Sequence, residues 1–279
     1  MKVIVHFGFP KTMSSTLQFG VFKPLHMQGL LNLKTWRLED ENENLDRRPS
    51  SRLFMGKEIL DEYLDFQDNA VNILSDESFT APWKLRRNNY GDNIADPFSF
   101  PEKIKSQIMR KYGDEVEFIP LIMIRNQADL IFSQYVEEYN LKKYKGVDLL
   151  FDDEGRIEMQ GFEIYRFYEY FQTLESVFGV GKTKLFLFED WKYNFSACCC
   201  KLANQIGVAP QVIEDMLSKS HVNKKMKNTE GYFTKGGEDF IYFLSEDQKN
   251  EIRKYFEQDN VLLQKHFGEE FDLDKYKYL

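Results

Sequence analysis

Cysteine is scarce in this chain and oddly placed: there are three, and they are consecutive, Cys198, Cys199 and Cys200. Adjacent residues on a helix point in different directions, so the trio supplies neither a zinc site nor a disulfide framework. It reads as reduced, small apolar packing. Apolar runs are short as well. None approaches the roughly 18 residues a membrane-spanning helix needs. At the amino terminus, Lys2 is followed by five strand-like residues before Gly8, too few for a secretory apolar core. The expected compartment is therefore the cytoplasm. A basic surplus is missing too: 37 Lys and Arg against 45 Asp and Glu leave a net charge of −8. That argues against general nucleic-acid binding and requires any anionic ligand to be held by a local basic pocket. Neither an internal repeat nor a metal-ligand constellation is present.

What is there in quantity is apolar and aromatic. Of 279 residues, 42% are hydrophobic, with 25 Phe and 15 Tyr, enough for a substantial aromatic core. Strand-like runs occur at residues 3–7, Val71–Ser75, Val116–Ile124 and Lys184–Phe188. Pro120 is a blemish in the third if that strand is central. Helical spacing is read at Leu17–Leu25, Lys57–Asp65, Glu102–Tyr112, Asp129–Asn140, Phe162–Phe178, Ser196–Ile206, Val212–Leu217 and Glu246–His266. Trp36–Arg52 is crowded with charge, ends in Pro49-Ser50-Ser51, and reads as an exposed, mobile connection. Residues 149–151 and 157–159 flank Asp152-Asp153-Glu154-Gly155 as a β-hairpin. Strands separated by helices predict an α/β fold of P-loop-like, three-layer type: a central, mostly parallel sheet flanked by helices, with residues 1–279 as one domain.

The organising stretch is the first. An apolar β-branched run stops at Gly8 and Pro10; Lys11, Thr12, Met13, Ser14, Ser15 and Thr16 follow, and the chain then turns apolar at helical spacing. Strand, tight turn and helix start in that order make an anion site, because first-turn N–H groups favour phosphate or sulfate and Lys11 adds a point charge. In a parallel sheet, ligands sit beyond the strand C-terminal ends. Three such ends carry polar groups: Lys11 with its hydroxyls, Asp76-Glu77-Ser78, and Arg125. They are expected to converge if their strands are neighbours.

The loop lacks the second glycine of the Walker pattern, which speaks against an ordinary ATPase. Pro10-Lys11-Thr12-Met13-Ser14-Ser15-Thr16-Leu17 instead resembles the 5′-phosphosulfate loop of sulfotransferases, commonly P-K-T-G-T-T-x-L. Met13 stands where glycine is usual, and serines replace the two threonines. A second match supports the first: Arg125 at a strand end with Ser133 eight residues later has the spacing of the family's 3′-phosphate ligands. Asn223 to Phe233, Lys235-Gly236-Gly237, Leu244-Ser245, Tyr255-Phe256 and Asn260 are similar to the tail of glycan-type members. Gly237 occupies the place of the family's arginine, so Lys235 or Lys227 is the expected substitute.

The resemblance implies transfer of a sulfuryl group from 3′-phosphoadenosine 5′-phosphosulfate, without a metal, to a hydroxyl on a saccharide or small metabolite. Pro10 to Thr16, Arg125, Ser133, Lys227, Lys235 and Gly236 would bind the nucleotide. Lys11 would also stabilise the leaving phosphate. Glycan-type members take the acceptor proton with a glutamate in an E-K-S pattern, which Asp76-Glu77-Ser78 resembles. Glu77 is the first choice for its reach and Asp76 the second. Of four histidines, only His221, opening the lysine-rich loop, is an alternative base. A P-loop-type kinase and a non-catalytic nucleotide-binding protein on the same fold remain open.

Overall fold

Val3-Ile4-Val5-His6-Phe7 is apolar and rich in β-branching, as a strand covered on both faces must be. In the computed structural model it forms the middle of a five-stranded sheet. The structure describes residues 1–36, 38, 46–82, 94–140, 156–219, 231–233 and 240–279. In chain order the elements are β1 (Lys2–Gly8), α1 (Ser14–Leu17), a π-helical turn (Gln18–Phe22), α2 (Lys23–Met27), β2 (Asn32–Lys34), α3 (Pro49–Phe54) and β3 (Val71–Ser75). A 3₁₀ turn (Glu77–Thr80), α4 (Phe100–Tyr112), β4 (Glu117–Ile124), α5 (Gln127–Asn140), α6 (Phe167–Phe178) and β5 (Lys184–Leu187) follow. The remainder is α7 (Asp190–Tyr193), α8 (Phe195–Ile206), α9 (Pro210–Lys219), β6 (Gly231–Phe233), β7 (Phe240–Tyr242) and α10 (Glu246–Phe267).

These elements divide into two compact units. The first comprises 1–124 and 170–222, the second 125–169 and 223–279. The first unit holds the sheet, in the order β2-β3-β1-β4-β5. Every neighbouring pair is parallel. One sheet face, including Ile4, Ile73, Leu121 and Phe186, packs with Leu17, Val21, Phe22, Leu202 and Ile213 from the helices. The other face is aromatic: Phe7 meets Phe79, Tyr170 and Phe178 at ring-centroid distances of 5.8 to 6.1 Å. Pro120 is tolerated because the β5 pairing begins one residue later, at Leu121↔Lys184, so no β5 ladder is interrupted at its level. Cys198 and Cys199 are buried, and burial pushes both thiols up to about 12, as inert packing residues require.

The second unit is built on α5 and α10. Ser245 opens α10 with a reciprocal capping box to Gln248. Asn260, fully buried, exchanges hydrogen bonds with Gln127 and donates to the Tyr278 carbonyl at 2.8 Å. Asp259 accepts from the Tyr168 and Glu169 N–H groups, capping the start of α6. Among the described residues no helix is long and apolar enough to cross a membrane.

Three expectations need correction. Trp36–Arg52 is not exposed and mobile throughout: α3 begins at Pro49, whose fixed φ suits a first helical turn, and Arg48, Ser50 and Ser51 are buried. Lys57–Asp65 holds only a 3₁₀ turn at Asp61–Leu64, because so short a run with few buried anchors cannot offset helix nucleation. Phe162–Phe178 breaks at Arg166, which leaves the α6 N–H groups accessible to Asp259. In the expected hairpin, residues 149–155 lie outside the described residues, and Ile157 forms an isolated bridge.

Asn260→Ala leaves the Gln127 amide and the Tyr278 carbonyl without their buried partner. The expected loss is about 1–3 kcal/mol in urea denaturation.

Candidate functional site

At the end of β1 the chain bulges between His6 and Gly8 against β4. Gly8 adopts φ 100, and a Cβ there would stand 2.7 Å from the Glu77 carbonyl oxygen. Glycine is needed here for both reasons, and its bareness lets the segment after β3 close on the end of β1. The loop that follows is fixed by its own polar groups. Phe9 donates its N–H to the Met123 carbonyl at 2.9 Å. Its own carbonyl accepts from the Thr12 and Ser14 hydroxyls at 2.6 and 2.9 Å. Thr12 and Ser14 are buried, and their hydroxyls serve the turn, whereas Lys11, Ser15 and Thr16 are partly exposed. Lys11 and Met13 both take positive φ, 65 and 76. Met13 is the residue before the helix, in the left-handed conformation that glycine adopts most readily. From Ser14 the chain is continuously helical to Met27, so the first-turn N–H groups have no intrahelical carbonyl to bond.

Asp76 and Glu77, after the neighbouring strand, have different surroundings. Asp76 is fully buried and accepts from Arg48 Nε and Nη2, from the Ser50 N–H and from the Ser78 N–H, at 2.7 to 3.1 Å. Burial alone would push its carboxyl up. The Arg48 charge and the hydrogen bonds from Arg48 and Ser50 outweigh this and hold it below the ordinary value of 3.8. Arg48 also stacks over Trp36 at 4.3 Å and donates to Ser78 Oγ at 2.8 Å. Glu77 is 8% exposed; its Oε2 accepts from Gln18 Nε2 at 2.9 Å, and its Oε1 lies 3.6 Å from Arg48 Nη2. Ser75 Oγ accepts from the same Gln18 nitrogen at 2.9 Å and lies 2.8 Å from His6 Nδ1. Burial lowers the His6 imidazole to about 4, against the opposing pull of Glu77 and Asp76, so it is neutral near pH 7.

Two of the three strand ends expected to converge are therefore brought together, within the first unit. Arg125 belongs to the second unit. There it and Ser133 line a cavity of about 260 Å³ with Phe132, Phe243, Leu244 and Lys249. Its charges have local partners: Arg125 lies 4.0 Å from Asp129, and Lys249 lies 2.6 Å from Glu246. A guanidinium, an ammonium and a hydroxyl line it together with the Asp129 carboxylate, and the first three are donors suited to a phosphate. Lys227, Lys235, Gly236 and His221 lie outside the described residues. His26 bonds at the turn after α2, and His266 is exposed on α10.

Sequence reasoning missed Arg48, Gln18 and Lys249. Arg48 lay in a charge-rich stretch with nothing to distinguish it from its solvated neighbours. Gln18 sat one residue past the recognised motif. Among the described residues no group of three or more His, Cys, Asp or Glu is placed to hold a metal ion.

No family model and no curated protein matches the sequence. Among solved structures, the chain is similar to a sulfotransferase from Alicyclobacillus acidocaldarius, with a TM-score of 0.55 and 13% identity over 98% of each chain. At that identity the likeness establishes the fold, which the two chains share from end to end.

Removing Arg48 leaves Asp76 as an unpaired buried carboxylate, so Arg48→Met is expected to cost about 3–5 kcal/mol at pH 7. Because the Asp76 carboxyl is lowered in the folded state, its contribution is full above 3.8 and lost as pH falls below it. Urea denaturation should therefore show the gap between wild type and variant narrowing at acid pH. At Met13, glycine removes a left-handed penalty of about 1 kcal/mol but also a side chain packed on the core. Met13→Gly is accordingly expected to stay within about 1 kcal/mol of wild type, while β-branched Met13→Val loses at least about 1 kcal/mol by thermal denaturation.

Proposed function

We propose that the chain is a sulfotransferase that moves the sulfuryl group of 3′-phosphoadenosine 5′-phosphosulfate to a hydroxyl acceptor, a saccharide or a small metabolite. The observation that carries this reading is the meeting, in the first unit, of a helix-starting loop bearing Lys11 with an ionisable Glu77 held by Gln18, at 2.9 Å. The end-to-end likeness to a sulfotransferase supports it and supports treating residues 1–279 as one sulfotransferase domain.

The residues divide the work as the chemistry requires. The nucleotide supplies the sulfuryl group and a phosphate leaving group. Lys11 and the first-turn N–H groups after Met13 hold the negative charge that grows on that phosphate oxygen as its bond to sulfur breaks. Glu77 takes the proton of the acceptor hydroxyl as its oxygen bonds to sulfur. Asp76, saturated by donors, serves as the counter-charge to Arg48 rather than as the base. Pro10, Thr12 and Ser14 shape the loop, and Ser15 and Thr16 offer hydroxyls to the sulfuryl end. Arg125 and Ser133 take the 3′-phosphate, with Lys249 alongside; Lys227, Lys235 and Gly236 are assigned to the covering loop from the resemblance.

Calorimetric titration with 3′-phosphoadenosine 5′-phosphate, set against ATP with magnesium, tests the reading. Preference for the bisphosphate is expected, and preference for ATP would point to a P-loop kinase instead. Tight bisphosphate binding with no transfer to any acceptor would leave a nucleotide-binding protein. Lys11→Ala should lower kcat about 100-fold or more. Arg125→Ala should chiefly weaken bisphosphate binding, by about 10-fold to 100-fold. Equal and mild effects from both would remove the assigned roles.

A further inference from the structure

We infer that Gln18 is a positioning residue: its amide holds the Glu77 carboxylate ionised and directed, and so couples the anion-binding helix to the general base. The inference rests on the assignment of Glu77 as base. Gln18 is the first residue of the π-helical turn that follows α1, so it is carried by the same helix that begins at the Lys11 loop.

Its amide is committed in one sense only. A carboxylate accepts hydrogen bonds and cannot donate them, so the group facing Glu77 Oε2 must be the NH₂ end. Nε2 has two hydrogens, and it contacts two acceptors, Glu77 Oε2 and Ser75 Oγ, each at 2.9 Å. The carbonyl end is left over: Gln18 Oε1 is buried and has no hydrogen-bond partner among the described residues. An unmatched buried acceptor costs about 1–3 kcal/mol, so the side chain is not there to satisfy itself. What the arrangement provides is a neutral donor fixed against one oxygen of Glu77, while Arg48 faces the other at 3.6 Å.

The two donors do different things. Arg48 divides its charge between Asp76, which it binds with two nitrogens, and Glu77, which it only approaches. Gln18 adds no charge, favours the ionised carboxylate by hydrogen bonding, and restricts its rotation. Asp76 beside it and His6 on β1, neutral near pH 7, also face Glu77. Neither donates a hydrogen bond to Glu77.

The test uses the full chain with Gln18→Met, which keeps volume without a donor, and Gln18→Asn, whose amide is too short to reach. Carbon-13 labelled glutamate allows the Glu77 carboxyl carbon to be titrated by NMR, with Glu77→Gln assigning the resonance. The expected result is a titration midpoint moved to higher pH in both variants. The acid limb of the kcat profile should move with it, so that the loss of kcat is greatest at low pH and recovers as pH rises. KM for the nucleotide should change less than about twofold. A Glu77 titration that stays in place in either folded variant overturns the inference, as does a kcat loss equal at every pH. If wild type transfers no sulfuryl group, the functional reading fails on its own, and the carboxyl titration still decides the pairing.

Discussion

Asp76 is a carboxylate with no access to water, and the ground around it depends on how its charge is met. Two nitrogens of Arg48 and two backbone N–H groups saturate it. Those contacts fix the start of α3, the 3₁₀ turn after β3, and Arg48 itself between Trp36 and Glu77. A buried ion pair of this kind adds little to net stability, but loss of one partner is costly. The pair therefore acts as a locating device. It sets where the segment after β3 lies, and hence where the adjacent Glu77 presents its carboxyl to Gln18.

Much of the fold was legible because the strands are apolar on both sides. Val71–Ser75 reads directly as a strand, and the central run ending at Ile124 differs by one residue at its start. β2, only three residues long, carries too little periodicity to be seen, and β6 and β7 are equally short. The loop from Pro10 to Leu17 was legible as a helix start, because glycine, proline and hydroxyl residues punctuate it. Its internal bonding was not: residue type cannot tell that Thr12 and Ser14 turn their hydroxyls onto Phe9 while Ser15 and Thr16 stay partly exposed. Arg48 was hidden for a related reason. Charge in a polar stretch looks solvated until a distant strand brings an acid to it.

The two acids after β3 illustrate how neighbouring residues of one chemical class acquire separate roles. Asp76 is enclosed by donors and held as an anion; Glu77, one methylene longer, is 8% exposed and meets Gln18 at one oxygen and Arg48 at the other. Sequence alone ranks them by reach. The environment separates them by accessibility, which is the property a proton acceptor needs.

The π-helical turn at Gln18–Phe22 has a consequence for the phase of the helix. Such a turn accommodates one residue more than the α-helical repeat allows. The wider turn takes up that residue locally, so that Leu17 before it and Leu25 after it both lie in the core. One wide turn thus serves two partners at once: Gln18 reaches the acids after β3, while Val21 and Phe22 fill the core beneath the sheet.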